Sequence, residues 1–439
     1  MIADTLRLEI YDTDGTTMLD ASCLPIRASL LWPLNAVSSA MVDLAAVDPA
    51  VASLDVGHII HLVGPEGNLF IGTIRDMPSA RVLDDTPSVS IEVLNNFDDL
   101  NLVDVMRRWW NGAGTMIATI LGTGHTGAPP GLLHDTGWTL NIELAVGQRV
   151  RVEEFIWGSL LRCIVRTIED GAAAWWADPI TKTLYVGEFG ADSGIVVARP
   201  DSPDPLLTRD ATVLWATRIS KEVTGPMANR IFGIGAELDA DPWRVRLPYP
   251  KPAWGGYTVV EIAGHMTDQL EYYIQDAASI AAYGVLEYSL VDRSIDIDNG
   301  LALDDAQLHV YSLCEAAMKR WKDKVRFYTV DIVGNQIDSI GRATVTLGSK
   351  VRLVFNGYLE RTHPVTQESL GSTYETINEL LFVTSVERNW DERGVEMVRL
   401  LLADSLQLAP VTKYPGGPGK PPIRRRRRGG GDERPDPGW

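Results

Sequence analysis

The chain has little cysteine, little histidine and no excess of positive charge. Cys23, Cys163 and Cys314 lie far apart without CxxC spacing. That excludes a disulfide framework and a sequence-evident zinc site. Each sits among apolar residues, the setting of a small core side chain. The 7 histidines show no HExxH pattern. His58 and His61, three apart on a strand-like run, point to opposite faces and do not form a shared metal site. No run approaches the roughly 18 apolar residues of a membrane span. The opening Met1-Ile2-Ala3-Asp4 has no basic or apolar leader region, so no signal peptide is expected. There is no Asn-x-Ser/Thr sequon. These features fit a protein made and assembled in a reducing cytoplasm.

The net charge is −18 over 439 residues. Such a surface repels polyanions and argues against a protein that grips nucleic acid by neutralising phosphates. The charge is uneven: from Lys420 onward, seven basic and three acidic residues give +4, leaving −22 on the rest.

Apolar/polar alternation at period two is abundant, and it marks strands with one buried face. One pattern appears twice. The first copy runs from Val56-Gly57-His58-Ile59-Ile60-His61-Leu62-Val63 through Leu69-Phe70-Ile71-Gly72-Thr73-Ile74-Arg75 to residues 88–93. The second runs from Leu347-Gly348-Ser349-Lys350-Val351-Arg352-Leu353-Val354 through Leu381-Phe382-Val383-Thr384-Ser385-Val386-Glu387 to residues 396–400. In each copy a Gly precedes the alternation and a second run opens Leu-Phe. Two related β-domains are expected.

Along the chain, residues 1–97 read as a small barrel or sandwich of short strands separated by Gly, Pro and Asp turns. Residues 98–205 read as an α+β domain. One helix is expected from Asp98 through Leu102, Val103, Met106 and Trp110, resuming over 116–120. A clearer helix is expected from Glu153 and Glu154 with Trp157, Leu160, Leu161, Ile164, Val165 and Ile168 on one face. β texture returns over 206–242 and again over 325–410, giving a second barrel split by an α+β insertion at 243–324. The insertion should hold a short helix starting at Asp276 and a long one carrying Ala306, Val310, Leu313, Cys314, Ala317 and Trp321. Residues 411–439, rich in Pro, Gly and Arg, have almost nothing to bury and read as a flexible tail.

Candidate chemistry is sparse. Gly122-Thr123-Gly124-His125-Thr126-Gly127 fits G-x-G-x-x-G, but a helix-like segment precedes it and Ala-Pro-Pro follows, so it reads as a surface loop. Asp292, Asp296 and Asp298 read as a solvated acidic loop. The 13 tryptophans are enough to line a sugar cleft, yet nothing nominates the carboxylate pair of a glycosidase. No Gly-x-Ser-x-Gly elbow or Walker loop appears. No catalytic residue, cofactor or metal is assigned, and a non-enzyme is expected. The run Arg424, Arg425, Arg426, Arg427 and Arg428 reads as a contact arm for an acidic partner, including the protein's own body, with DNA or membrane contact as the alternative.

The order barrel, α+β domain, split second barrel resembles the gp27-like tail-tip or baseplate hub proteins of tailed bacteriophages. Asp276-Ala277-Ala278-Ser279-Ile280-Ala281-Ala282-Tyr283-Gly284 is similar to the Asp-Ser-x-Ser-Ile-x-x-Tyr-Gly segment of these hubs. Ala228-Asn229-Arg230-Ile231-Phe232-Gly233-Ile234-Gly235 is similar to their Asn-x-Val-x-Val-x-Gly strand. The resemblance covers about residues 1–410. It implies a mostly β, α+β fold with two related antiparallel tube-type barrels. It also implies a homotrimer whose pseudo-sixfold ring adapts a hexameric tail tube to a threefold tip. Asp276, Ser279, Ile280, Tyr283, Gly284, Asn229 and Arg230 then become candidate interface residues. The implied partners are a tail-tube or distal tail protein, tip or fibre proteins and a tape-measure protein, with DNA only in passage. The implied location is the virion tail, assembled in the host cytoplasm. Family hubs often carry further C-terminal modules, whereas this sequence follows its second barrel with a short basic tail. Two alternatives remain open: a carbohydrate- or receptor-binding tail protein using its tryptophans, and a phage-like injection machine or gene-transfer particle using the same hub.

Overall fold

The computed structural model describes residues 6–22, 25–65, 67–76, 81–83, 86–110, 117–123, 130–143, 152–170, 173–187, 189–199, 212–237, 244–263, 270–292, 295, 302–333, 345–362 and 369–406. The alternating N-terminal stretch forms β1 (Arg7–Tyr11), β2 (Met18–Ser22), β3 (Pro25–Pro33), β4 (Ser39–Ala45), β5 (Ile59–Gly64), β6 (Gly67–Asp76), β7 (Arg81–Leu83) and β8 (Thr86–Asn95). They pair antiparallel in the order β2-β1-β5-β6-β8-β4-β3, with β7 on β8. Alternation gathers Leu8, Ile10, Leu30, Val42, Leu44, Ile60, Leu62, Phe70, Ile91 and Val93 into one buried cluster. Each such side chain contributes about 1.5–3 kcal/mol on burial.

The next stretch holds β9 (Asp104–Trp110), β10 (Thr139–Glu143), β11 (Val152–Ser159), α1 (Leu160–Asp170), β12 (Ala174–Asp178) and β13 (Thr183–Gly187). Two helix expectations are corrected here. Asp98 lies in a 3-10 turn, Asn96–Leu102, which Asn95 caps by accepting from the Phe97 N–H at 2.9 Å. Met106 and Trp110 then fall on β9. Glu153, Glu154 and Trp157 fall on β11, and α1 starts only at Leu160. β9 and β11 satisfy each other's backbone as an antiparallel pair, so tertiary pairing overrides the helical spacing. Within α1, Leu160, Leu161, Ile164 and Ile168 are buried with Trp175, Leu184 and Val186 in a separate core.

β14 (Asp192–Ala198) and β15 (Thr212–Thr224) open the second copy, which then breaks off. The insertion contains β16 (Arg230–Glu237), β17 (Arg244–Arg246), β18 (Val259–Ala263), β19 (Leu270–Gln275), α2 (Ala277–Tyr283), β20 (Glu287–Val291) and α3 (Leu303–Trp321). Both helices expected in this part are present. β16 was expected in the barrel over 206–242, but it pairs with β17, β19 and β20. The reason is α3, which lies against it: a Cβ on Gly233 would come within 2.6 Å of Cys314 Sγ and Val310. The small residues of this strand serve close helix packing. Thr224 and Val325 face each other across a ladder, so residues 225–324 are hung from one hairpin.

The barrel resumes with β21 (Val325–Val333), β22 (Lys350–Thr362), β23 (Ser369–Trp390) and β24 (Glu396–Ala403). β23-β22-β14-β15-β21-β24 closes into a ring, because β24 returns to β23. β14 runs parallel to both of its neighbours. Val330, Ile332, Val351, Leu353, Leu381, Val383, Leu400 and Leu402 fill the interior.

The two copies coincide register for register. The order β3-β4-β8-β6-β5 of the first recurs as β15-β21-β24-β23-β22 in the second. Gly57 and Gly348, both at positive φ (93° and 79°), start the corresponding hairpins. Gly57 N–H donates to Ile74 O and Gly348 N–H to Val383 O, while Ile74 N–H returns to His58 O and Val383 N–H to Ser349 O. Val42 opposite Ile91 becomes Val330 opposite Leu400, and Ala28 opposite Val42 becomes Ile219 opposite Val330. Even the irregularities recur: a bulge follows Ile74 as one follows Val383, and Pro25/Arg27 is matched by Ala216/Arg218. The Gly correspondence in the sequence is therefore structural. The Leu-Phe correspondence is not, because Phe382 occupies the place of Thr73 rather than Phe70.

Candidate assembly surface

β23 belongs to both copies. Its first part pairs with β22, and past the bulge its residues Ser385 to Trp390 pair antiparallel with Pro33 to Ala28 of β3. The Leu34 N–H donates to Thr384 O at 2.9 Å and extends this joint. Arg27 and Glu392 form an ion pair at its far end. Two tryptophans seal it. Trp32 packs against both barrel cores, and Trp390, 7% exposed, is buried in the core of the first. The Arg388 guanidinium lies 5.3 Å from the Trp390 ring centroid. Asn35 ties the same corner to the middle domain: its N–H donates to Trp175 O at 2.8 Å and its Oδ1 accepts from Trp175 N at 3.0 Å. The sequence reading missed this joint. Its signal was the alternation of β23, which outruns by several residues the matching strand of the first copy.

The hub-like segments meet in the insertion. Asn229, fully buried, is the centre of a knot. Its Nδ2 donates to Gly284 O at 2.7 Å and to Ser279 Oγ at 3.3 Å, and its Oδ1 accepts from Leu286 N at 2.7 Å. The Asp276 carboxylate caps α2 by accepting from Ser279 N at 2.9 Å, a bond that satisfies an otherwise unpartnered first-turn donor. Ser279 Oγ donates to Lys322 O at the end of α3. The Lys322 ammonium lies 3.3 Å from Asp276 and 2.9 Å from Asp323. Burial pulls its pKa down, but these two carboxylates more than offset that and hold it above the ordinary lysine value. Burial pushes the nearby Tyr257 phenol up to about 12, with Asp276 and Glu315 adding to the effect against Lys322.

Asn229 and Ser279 thus face inward and offer no surface to a partner. Arg230 pairs with Glu287 at 2.7 Å and lies 4.7 Å from the Tyr273 ring centroid. Ile280 and Tyr283 are half-buried, with Lys324 4.9 Å from the Tyr283 ring centroid. Gly284 is exposed at φ +79°. Beside it Val285, Tyr288 and Val291 are exposed, the last two on β20. Arg424 to Arg428 lie outside the described residues, as do Gly124 to Gly127, Asp296 and Asp298. Asp292 pairs with Arg166 at 3.1 Å. His58 Nδ1 donates to Ser53 O, 3.0 Å away, and the His61 ring lies tilted against Tyr11 with centroids 4.3 Å apart. Among the described residues no three His, Cys, Asp or Glu side chains gather as a metal site, and no helix is long and apolar enough to cross a membrane.

No protein-family model matches the chain, and no curated protein matches it. Solved structures do. The 43 kDa tail protein of prophage MuSo2 from Shewanella oneidensis is 11% identical with a TM-score of 0.51, over 91% of this chain and 98% of that one. The tail protein from Neisseria meningitidis MC58 is 9% identical with a TM-score of 0.51, over 91% and 96%. The chain has a phage tail-protein fold. At this identity the likeness speaks for architecture, and it extends over both barrels and the domains between them. It agrees with the hub-like resemblance of the sequence.

Proposed function

We propose that the chain is a structural tail protein: a homotrimeric hub whose three copies supply six barrels in a ring. In this reading the ring closes or extends a sixfold tail tube, adapts it to a threefold tip and anchors tip or fibre proteins. The observation that carries it is the register-for-register duplication, since two equivalent domains per chain and three chains match a sixfold neighbour and a threefold one at once. The charge of −22 outside the basic tail supports a lumen through which DNA slides without phosphate contacts. The exposed Val285, Tyr288 and Val291 beside Tyr283 and Gly284 support a partner-contact role for the α2–β20 face. The arginine run suits docking on an acidic neighbour.

The tryptophans whose side chains are described do not gather into a sugar-binding surface. Trp138, Trp175 and Trp390 are buried, Trp32 and Trp176 pack on a core, and the exposed Trp215 and Trp254 sit in different units. Light scattering at several concentrations tests the reading. The expected mass is three times 48.2 kDa. A chain that stays monomeric throughout and binds glycans through Trp215 or Trp254 would replace it.

A further inference from the structure

We infer that the Arg-rich segment 420–428 docks on its own chain and caps an acidic, partly apolar face at one end of the first barrel. The face is built from two stretches, residues 12–22 and 46–56. They hold Asp12, Asp14, Asp20, Asp48 and Asp55 and no lysine, arginine or histidine. The ladders bring the stretches together. Tyr11 pairs with Met18 on one side and with Ile59 on the other, so the turn after β1 and the approach to β5 share one end of the sheet. A Cβ on Gly57 would stand 3.6 Å from Thr13 of that turn. The 3-10 turn Pro49–Ser53 lies beside β2, where Ser22 Oγ donates to Asp48 and Ser53 Oγ donates to Asp20.

Among the described residues the five carboxylates accept only from neutral donors, backbone N–H groups and the hydroxyls of Thr13, Thr17, Ser22 and Ser53. Their charge is therefore not compensated locally. The Thr17 and Thr16 N–H groups hold the Asp14 pKa down at about 2. Met18, Leu19, Val47 and Val56 stand exposed between these carboxylates, Val47 at 86%. Apolar side chains rimmed by polar ones mark an interaction surface, and charge of one sign selects an occupant of the other. The chain carries such an occupant in Lys420 and Arg424 to Arg428, with Ile423 beside them. The guanidinium fork matches a carboxylate in shape as well as charge. Arg424 follows the last described residue, Leu406, by 18 positions, a reach of up to about 60 Å. A compact body of this length has a radius of gyration of about 22 Å, and the first barrel adjoins the second, from which the chain leaves. Exposed ion pairs are individually weak, but a tethered segment acts at an effective concentration on the order of millimolar. An acidic neighbour that takes the arginines uncovers the face, so occupancy of one surface is coupled to exposure of the other. The contact lies within one chain and does not depend on the hub reading.

The test is zero-length carbodiimide cross-linking of the full chain at low salt, which joins the Lys420 amine to a carboxylate it touches, followed by peptide mapping by mass spectrometry. The expected product links Lys420 to aspartates of the face and runs at the mass of one chain on a denaturing gel. It should be lost at about 1 M salt, where the Debye length falls to about 3 Å. Asp12→Lys/Asp55→Lys reverses two charges whose side chains accept only from the residue that follows each. This variant is expected to keep its circular dichroism spectrum and lose the cross-link, as is the chain carrying Arg→Gln at 424 to 428. Lys420 joined to carboxylates elsewhere or to none, or a yield unchanged by Asp12→Lys/Asp55→Lys, overturns the face as the target. A product at the mass of two chains puts the segment on another copy and overturns the intrachain contact.

Discussion

Trp390→Ala tests whether β23 holds the two barrels together. Trp390 is the last residue of a strand whose first part builds the second barrel, yet its ring lies in the core of the first. Its partner across the joint is Ala28, too small to refill the space. Large-to-small substitutions of buried Trp cost about 3–5 kcal/mol, more where the site cannot collapse, so a value in the upper half of that range is expected. The loss should be local. Hydrogen exchange followed by mass spectrometry should show β3, β4 and β8 losing protection, because sub-global opening follows local packing. β15 and β21, whose ladders do not include residue 390, should keep theirs. Denaturant titration would supply the magnitude. A change below about 1 kcal/mol, or protection lost equally from both copies, would refute the claim that this residue couples them.

Three further outcomes are expected. Asn229→Ala removes the acceptor of the half-buried Leu286 N–H and the donors to Gly284 O and Ser279 Oγ, at about 1–3 kcal/mol in all because water can reach part of the site, measured by denaturation; a neutral result would show that Asn229 does not hold this corner together. Gly348→Ala should cost more than Gly57→Ala: both carry the roughly 1–2 kcal/mol penalty of left-handed backbone, but at Gly348 the new Cβ also meets Phe189 at 2.7 Å, whereas at Gly57 only Thr13 is near, at 3.6 Å. The Tyr257 and Tyr328 phenols, both pushed up to about 12 by burial, bind their protons more tightly folded than unfolded. Their contribution is complete below pH 10 and drains away between pH 10 and 12. Thermal melts across that range should fall, and Tyr328→Phe should flatten the fall.

Much of the fold was legible because strand alternation and turn glycines are local signals. Gly57 and Gly348 declared the duplication directly, since each hairpin needs positive φ at that place. The Leu-Phe pairs misled by three positions because any inward and outward apolar neighbours satisfy an alternating pattern, and only cross-strand register tells equivalent residues apart. Met106 and Trp110 looked helical because their spacing suits a helix, while the competing partner, β11, lies some fifty residues on and is invisible to a local reading. Asn229 and Ser279 were singled out as candidate interface residues, but one-dimensional sequence does not say whether a polar residue faces a partner or an inner turn. Here burial answers that. The joint between β3 and β23 was the least legible feature, because it links residues at opposite ends of the chain.

In the proposed hub, the duplicated barrels of three chains make one pseudo-sixfold ring. The most direct measurement is electron-microscopic imaging of the purified assembly viewed down its axis, with class averages computed without imposed symmetry. Six evenly spaced lobes around a central hole, modulated in threes by the inserted domains, are predicted. A twofold or unclosed particle, or three lobes with the two barrels of each chain stacked along the axis, would contradict it.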